Sequence, residues 1–328
     1  MDFQVKILLI SFMATVVLSI IIIPLLRKLR IDQMEREDGP ESHMKKQGTP
    51  TMGGIIIMLA IIIASVGGYL YYSREGEEGI AVANKILPLL FITFGFGIIG
   101  FIDDFKKVVL RNTKGLSPKY KMLGLLIVSV LYVLYLIEGL NLGTDTIIPF
   151  LKISIPLPIW LFIPFAIFVM LGTTNAVNLT DGIDGLGASI SAIIVTCLTV
   201  IAIILDIKEI VVFGSIVVGV CLGFLVFNLN PAKIMMGDTG SLLLGGVISA
   251  IALYLQMPLI LLIIALIPVL ETLSVMIQVT YFKRTGKRIF KMAPIHHHFE
   301  LSGWKENKVV SVFCIITLLL SIVALYAI

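Results

Sequence analysis

Two adjacent carboxylates, Asp103 and Asp104, close an apolar run and are followed one helical turn later by Lys107. Such a pair suits Mg²⁺, which takes one or two carboxylates and fills its remaining positions with water and substrate phosphate oxygens. It equally suits a general base, because neighbouring acids are poised to exchange a proton with a bound group. The plain alternative is a hydrated helix end whose charges are met by Lys106 and Lys107.

Three further polar islands interrupt an otherwise apolar chain. Asn175 to Leu186 reads NAVNLTDGIDGL, with Asn175, Asn178, Asp181 and Asp184 three apart. Residues three apart share a helix face, and Gly182 and Gly185 let the backbone turn and approach a ligand closely. Two acids and two amides interleaved with glycine suit a nucleotide-sugar or a metal-bound diphosphate; a polar turn is the alternative. Asn228 to Ser241 reads NLNPAKIMMGDTGS and opens an apolar run. Asp238, Thr239 and Ser241 there suit helix capping, but the same N-terminus can receive phosphate, and Asp238 can ligate a metal. In Ala293 to Glu300, His296, His297 and His298 are consecutive. Consecutive positions diverge on a helix, so a three-histidine metal site is geometrically poor, and contacts to phosphate or sugar fit better. Lys46 and Thr51, around Gly48-Thr-Pro-Thr-Met-Gly-Gly54, offer donors to anions. This is not the GxxxxGK[ST] loop and follows no strand, so no ATPase reading attaches to it. Lys119 and Lys121 add donors, or meet anionic lipid headgroups.

The elements that must position these residues are membrane spans. Of 328 residues, 58% are hydrophobic and 14% charged, well below the quarter charged that soluble domains carry. Ten apolar runs long enough to span are predicted at 5–25, 52–72, 86–102, 121–139, 158–177, 187–205, 209–227, 240–256, 259–281 and 308–327. Gln256-Met257-Pro258 separates the eighth from the ninth, because proline ends or kinks a helix. The first run is expected to be a span rather than a cleaved signal, since Arg27, Lys28 and Arg30 flank it. Cys197, Cys221 and Cys314 lie inside spans with no CxxC spacing and are expected to be buried apolar side chains.

Of the 25 Lys and Arg residues, 20 lie in or beside the loops that follow odd-numbered spans. The positive-inside rule then makes those loops cytoplasmic and both termini external. Every polar island falls in an odd-numbered loop, so the four are expected to meet at one face. The net charge of +4 suits anionic lipid or an anionic substrate; no nucleic-acid partner is implied. The expected fold is an all-α integral membrane protein, a single polytopic domain over 1–328. Glu271, inside the ninth run with Pro268 nearby, is an intramembrane acid for which the sequence names no partner.

In order, GTPTMGG at 48–54, DDFKK at 103–107, NLTDGIDGL at 178–186, GDTGS at 237–241 and APIHHHFE at 293–300 resemble the polyprenyl-phosphate hexosamine-1-phosphate transferases. The histidine triplet resembles their muramoyl-pentapeptide branch rather than the N-acetylglucosamine branch, and the likeness runs nearly the full length. It implies transfer of phospho-MurNAc-pentapeptide from UDP-MurNAc-pentapeptide to undecaprenyl phosphate, giving lipid I and UMP with Mg²⁺, in a bacterial cytoplasmic membrane. Carried over, Asp103 and Asp104 are candidate base or nucleophile and Asp238 the Mg²⁺ ligand. Asn178 and Asp181 support the diphosphate, while Lys46, Gly182, Ile183, Asp184 and Asn228 line a nucleoside site. Thr51, Lys107, Lys121 and His296 to His298 are donors to phosphate or sugar. Met235, where the family usually has Phe, packs on uracil. The resemblance also implies a bent or broken ninth helix and leaves room for a homodimer. A UDP-N-acetylglucosamine transferase is the nearer alternative. A secondary transporter is the remote one, since its polar residues would sit at mid-membrane.

Overall fold

A computed structural model describes residues 3–29, 31, 48–110 and 115–328. Among them are ten helices long and apolar enough to cross a membrane. They are α1 (Phe3–Lys28), α2 (Gly54–Tyr72), α3 (Gly76–Val108), α4 (Pro118–Leu134, extended by a π turn over Tyr135–Gly139), α5 (Ile159–Thr180), α6 (Leu186–Ile204), α7 (Lys208–Asn228), α8 (Gly237–Tyr254), α9 (Leu266–Thr285) and, after the short α10 (Ile295–Glu300), α11 (Glu306–Tyr326). The predicted spans all recur, most with ends a few residues away. The third differs most, starting ten residues earlier than predicted because Gly76 to Ile86, although carrying three charges, continues the helix.

α8 is central. Every residue from Thr239 to Leu255 is buried, whereas α1 shows one side to lipid through Leu9, Ile10, Met13, Val17, Ile20 and Ile21. Small residues let backbones meet where no aqueous hydrophobic drive exists between spans. Gly219 and Gly223 on α7 form a GxxxG seat for α1: a Cβ on either would strike the carbonyl of Leu8 or Phe12. α1 answers with Ser11, Thr15 and Ser19, each bonded to the carbonyl four residues back and buried. Gly54 on α2 and Gly100 on α3 press in the same way on the backbone of α8 at Gly240 and Asp238.

The ninth predicted run is interrupted. Gln256 and Met257 leave the helix, Pro258–Ile260 forms a 3₁₀ turn, and a single helical turn at Leu261–Ile264 ends at Ala265, where α9 begins. Pro268 has no N–H for the Ile264 carbonyl and its ring crowds that position, so the break sits one turn before it. A two-stranded hairpin, β1 (Asp145–Ile148) and β2 (Ile153–Pro156), lies between α4 and α5 and was not foreseen in the sequence. It docks through the Ile147 N–H on the Gln256 carbonyl and the Phe150 N–H on that of Ala327.

Candidate active site

Four helix ends converge on one carboxylate. Asp238 at the start of α8 accepts from Lys107 Nζ of α3 at 2.7 Å and Lys121 Nζ of α4 at 2.9 Å, both on Oδ2. Its Oδ1 accepts from Asn178 Nδ2 of α5 at 2.8 Å, and that amide also reaches Ser241 Oγ. Asp103 shares the same lysines: its Oδ2 lies 2.6 Å from Lys107 Nζ and 3.5 Å from Lys121 Nζ. The Leu116 N–H donates to its Oδ1 at 2.6 Å. Two acids and two ammonium groups thus form one compact cluster. Lys119, the competing donor from sequence, is exposed and joins no ion pair among the described residues. Asp104 turns the other way and accepts from the N–H groups of Asp238 and Thr239 and from Thr239 Oγ1.

The GTPTMGG segment packs against the start of α8. The Gly53 and Gly54 N–H groups donate to the Met235 and Met236 carbonyls, and the Met235 N–H donates to that of Pro50. Thr51 is buried, with its Oγ1 beside Gly237. A second polar knot sits on the neighbouring side of the same bundle end. Asp184 Oδ2 accepts from Asn230 Nδ2 and the Ala232 N–H, each at 3.0 Å, while its own N–H donates to Glu306 Oε1 at 2.6 Å. Beside it His296 is fully buried, its Nδ1 3.1 Å from Glu271 Oε1, close enough for an ion pair but without hydrogen-bond alignment. The His296 ring fills the space where a side chain at Gly182 would stand. His297 Nδ1 meets Glu300 Oε2 at 2.9 Å, and His298 Nδ1 accepts the Lys291 N–H at 3.1 Å.

Residues 86–256 match the family model described as Glycosyl transferase family 4, and residues 46–58 match phospho-N-acetylmuramoyl-pentapeptide-transferase signature 1. A phospho-N-acetylmuramoyl-pentapeptide-transferase of Acetivibrio thermocellus is 49% identical over 326 residues, covering 99% of this chain and 95% of that protein. The protein of that name from Halalkalibacterium halodurans is 49% identical over 97% of this chain and 95% of its own length. One from Staphylococcus carnosus is 44% identical over 97% of both. The chain belongs to the phospho-N-acetylmuramoyl-pentapeptide-transferase family.

Against that family's motifs, the structure divides the candidate residues. Asp103, Lys107, Lys121, Asn178 and Asp238 come together in one cluster. Four residues expected to face substrate stand differently. Asn228 is fully buried and gives its amide to the Ile234 carbonyl at 2.9 Å, a bond that holds the α7–α8 loop. Ile183 is also fully buried, because the turn between α5 and α6 points it into the apolar core. Met235 is buried, and its backbone bonds to Pro50 and Gly53. His296 is fully buried between Glu271 and Gly182, with neither ring nitrogen in an aligned hydrogen bond among the described residues. Asp181 ends α5 with its carboxylate against Gly187 at the start of α6. Lys46 lies outside the described residues. Sequence reasoning missed Asn230 and Glu306 altogether. Glu306 had one visible signal, an acid in the first turn of the last span, which reads equally as a complement to the helix dipole.

The cluster offers two carboxylates of the kind that Mg²⁺ takes. Among the described residues no three His, Cys, Asp or Glu side chains are grouped to hold a metal. Asp103 and Asp238 supply two acids beside ammonium groups that themselves suit phosphate, as expected of a site that Mg²⁺ completes with substrate oxygens.

Proposed function

We propose that the chain transfers phospho-MurNAc-pentapeptide from UDP-MurNAc-pentapeptide to undecaprenyl phosphate, releasing UMP and forming lipid I, at the cytoplasmic face of a bacterial membrane. The observation that carries this is the sharing of Lys107 and Lys121 between Asp103 and Asp238 at the end of an apolar bundle. A soluble nucleotide reaches that end from water, while a lipid acceptor reaches it along the exposed apolar sides of the helices.

Asp103 and Asp238 would hold Mg²⁺, which supplies charge neutralisation to the diphosphate when bound. Lys107 and Lys121, already converging on the acids, would turn their N–H donors to phosphate oxygens once substrate enters. Donors held in place before reaction stabilise developing negative charge on the leaving group without reorganising during the step. An oxygen of the acceptor phosphate forms the new bond to the sugar-linked phosphorus, and the bond to UMP breaks with its electron pair going to UMP. Asp103, held by the Leu116 N–H, would take the proton from a protonated acceptor phosphate. His297 and His298, on the loop between α9 and α11, would lie on the sugar side.

The test is transfer by purified protein given Mg²⁺, undecaprenyl phosphate and labelled donor. UDP-MurNAc-pentapeptide is expected to yield labelled lipid and UMP, and UDP-N-acetylglucosamine to be a poor donor. Equal use of both donors would overturn the muramoyl reading, and transfer from neither by folded protein would overturn the transferase reading.

A further inference from the structure

The first N–H groups of a helix have no partner within it and must find one elsewhere. At α8 the N-cap position is Met236, which offers no side-chain hydrogen bond. The partner comes from another helix. Asp104 of α3, 5% exposed, accepts from the Asp238 N–H at 3.1 Å, the Thr239 N–H at 2.8 Å and Thr239 Oγ1 at 2.6 Å. The surrounding backbone is shaped for this contact. Gly237 has φ +72°, and a Cβ there would stand 2.8 Å from Asp104 Oδ2. Gly100, one turn before Asp104, lets α3 lie directly on the Asp238 carbonyl. The residue whose amide Asp104 holds is the one whose carboxylate gathers Lys107, Lys121 and Asn178.

We propose that Asp104 is a positioning residue that caps α8 from α3 and thereby sets where the Asp238 carboxylate stands relative to Asp103. Three donors converge on its two oxygens in a buried position, whereas Asp103 keeps one oxygen among the lysines. The adjacent acids therefore divide the work: Asp103 meets substrate and Asp104 holds the frame. The kinetic arm of the test rests on the transferase reading; the structural arm does not.

The experiment follows hydrogen exchange of the 236–241 backbone in membrane-reconstituted protein, alongside kcat and the Mg²⁺ concentration for half-maximal transfer. Asp104→Asn should speed exchange at residues 238 and 239 about tenfold, as loss of a helix cap does, while lowering kcat and raising the Mg²⁺ requirement. Asp103→Asn should abolish transfer with those amides still protected. Thr239→Val, which removes only the hydroxyl donor, should show the same combined change as Asp104→Asn in smaller measure. A folded Asp104→Asn protein with normal amide protection and no transfer would overturn the proposal, as would a phosphosugar trapped on Asp104. Should Asp104→Asn not fold, parent-like exchange and kcat in Thr239→Val would overturn it. Failure of the unaltered protein to transfer would remove the transferase reading and leave the exchange arm to decide the cap.

Discussion

Asp238 is the carboxylate on which α3, α4 and α5 meet, through Lys107, Lys121 and Asn178. Replacing it by Asn keeps the shape but removes the charge that gathers the two ammonium groups. Asp238→Asn is expected to lower kcat on the order of 100-fold and to raise the Mg²⁺ needed for half-maximal transfer, measured by titrating Mg²⁺ at saturating donor. Parent-like Mg²⁺ dependence would reduce Asp238 to a structural role. Glu271, an acid without a visible partner in the sequence, meets both the His296 ring and its backbone N–H inside the protein. Glu271→Gln leaves one of these groups poorly answered and is expected to cost about 1–3 kcal/mol. A thermal midpoint equal to that of the parent would show that the pair carries no stability.

At the scale of elements, the site depends on how closely α2 and α3 approach α8. Gly54 sits where any Cβ would overlap the backbone nitrogen of Gly240, two residues after Asp238. Gly67, on the same α2, has open space around its own Cβ direction. Gly54→Ala is expected to destabilise the protein by about 1–3 kcal/mol and displace Asp238, while Gly67→Ala is tolerated. Comparing thermal stability and transfer rate of the two variants checks this; equal behaviour would mean that the contact is not tight. α9 makes the complementary case. Its break at Ala265 frees the segment that carries Glu271 to meet the loop bearing His296.

For the whole molecule, all four polar islands reach one end of the bundle, while Tyr254 and Glu209, bonded at 2.5 Å, and the hairpin mark the other. By the positive-inside rule, the asymmetry of Lys and Arg predicts that the site end faces the cytoplasm. Single cysteines placed at Lys287 or Ser302, both exposed, are expected to react with an impermeant thiol reagent only when it reaches the cytoplasmic side. Labelling from outside in intact cells would invert the orientation and separate the site from a cytoplasmic nucleotide.

The ten spans, the break after α8 and the convergence of the islands were legible in the sequence. Apolar run length is set by membrane thickness, proline interrupts helices locally, and loop charge follows sidedness. The resemblance named Lys121 rather than Lys119, but the physical reason was not legible, because it depends on the rotation of α4 about its axis. Nor were the separate duties of Asp103 and Asp104. Neighbours on a helix point in directions about 100° apart, and only the packing of α8 against α3 decides which one finds lysines and which finds free N–H groups. Asn228, Ile183 and His296 looked like ligand-facing residues by motif. Tertiary structure buries all three, because where a motif residue points depends on how its turn packs against the neighbouring helices, which spacing in the sequence does not encode.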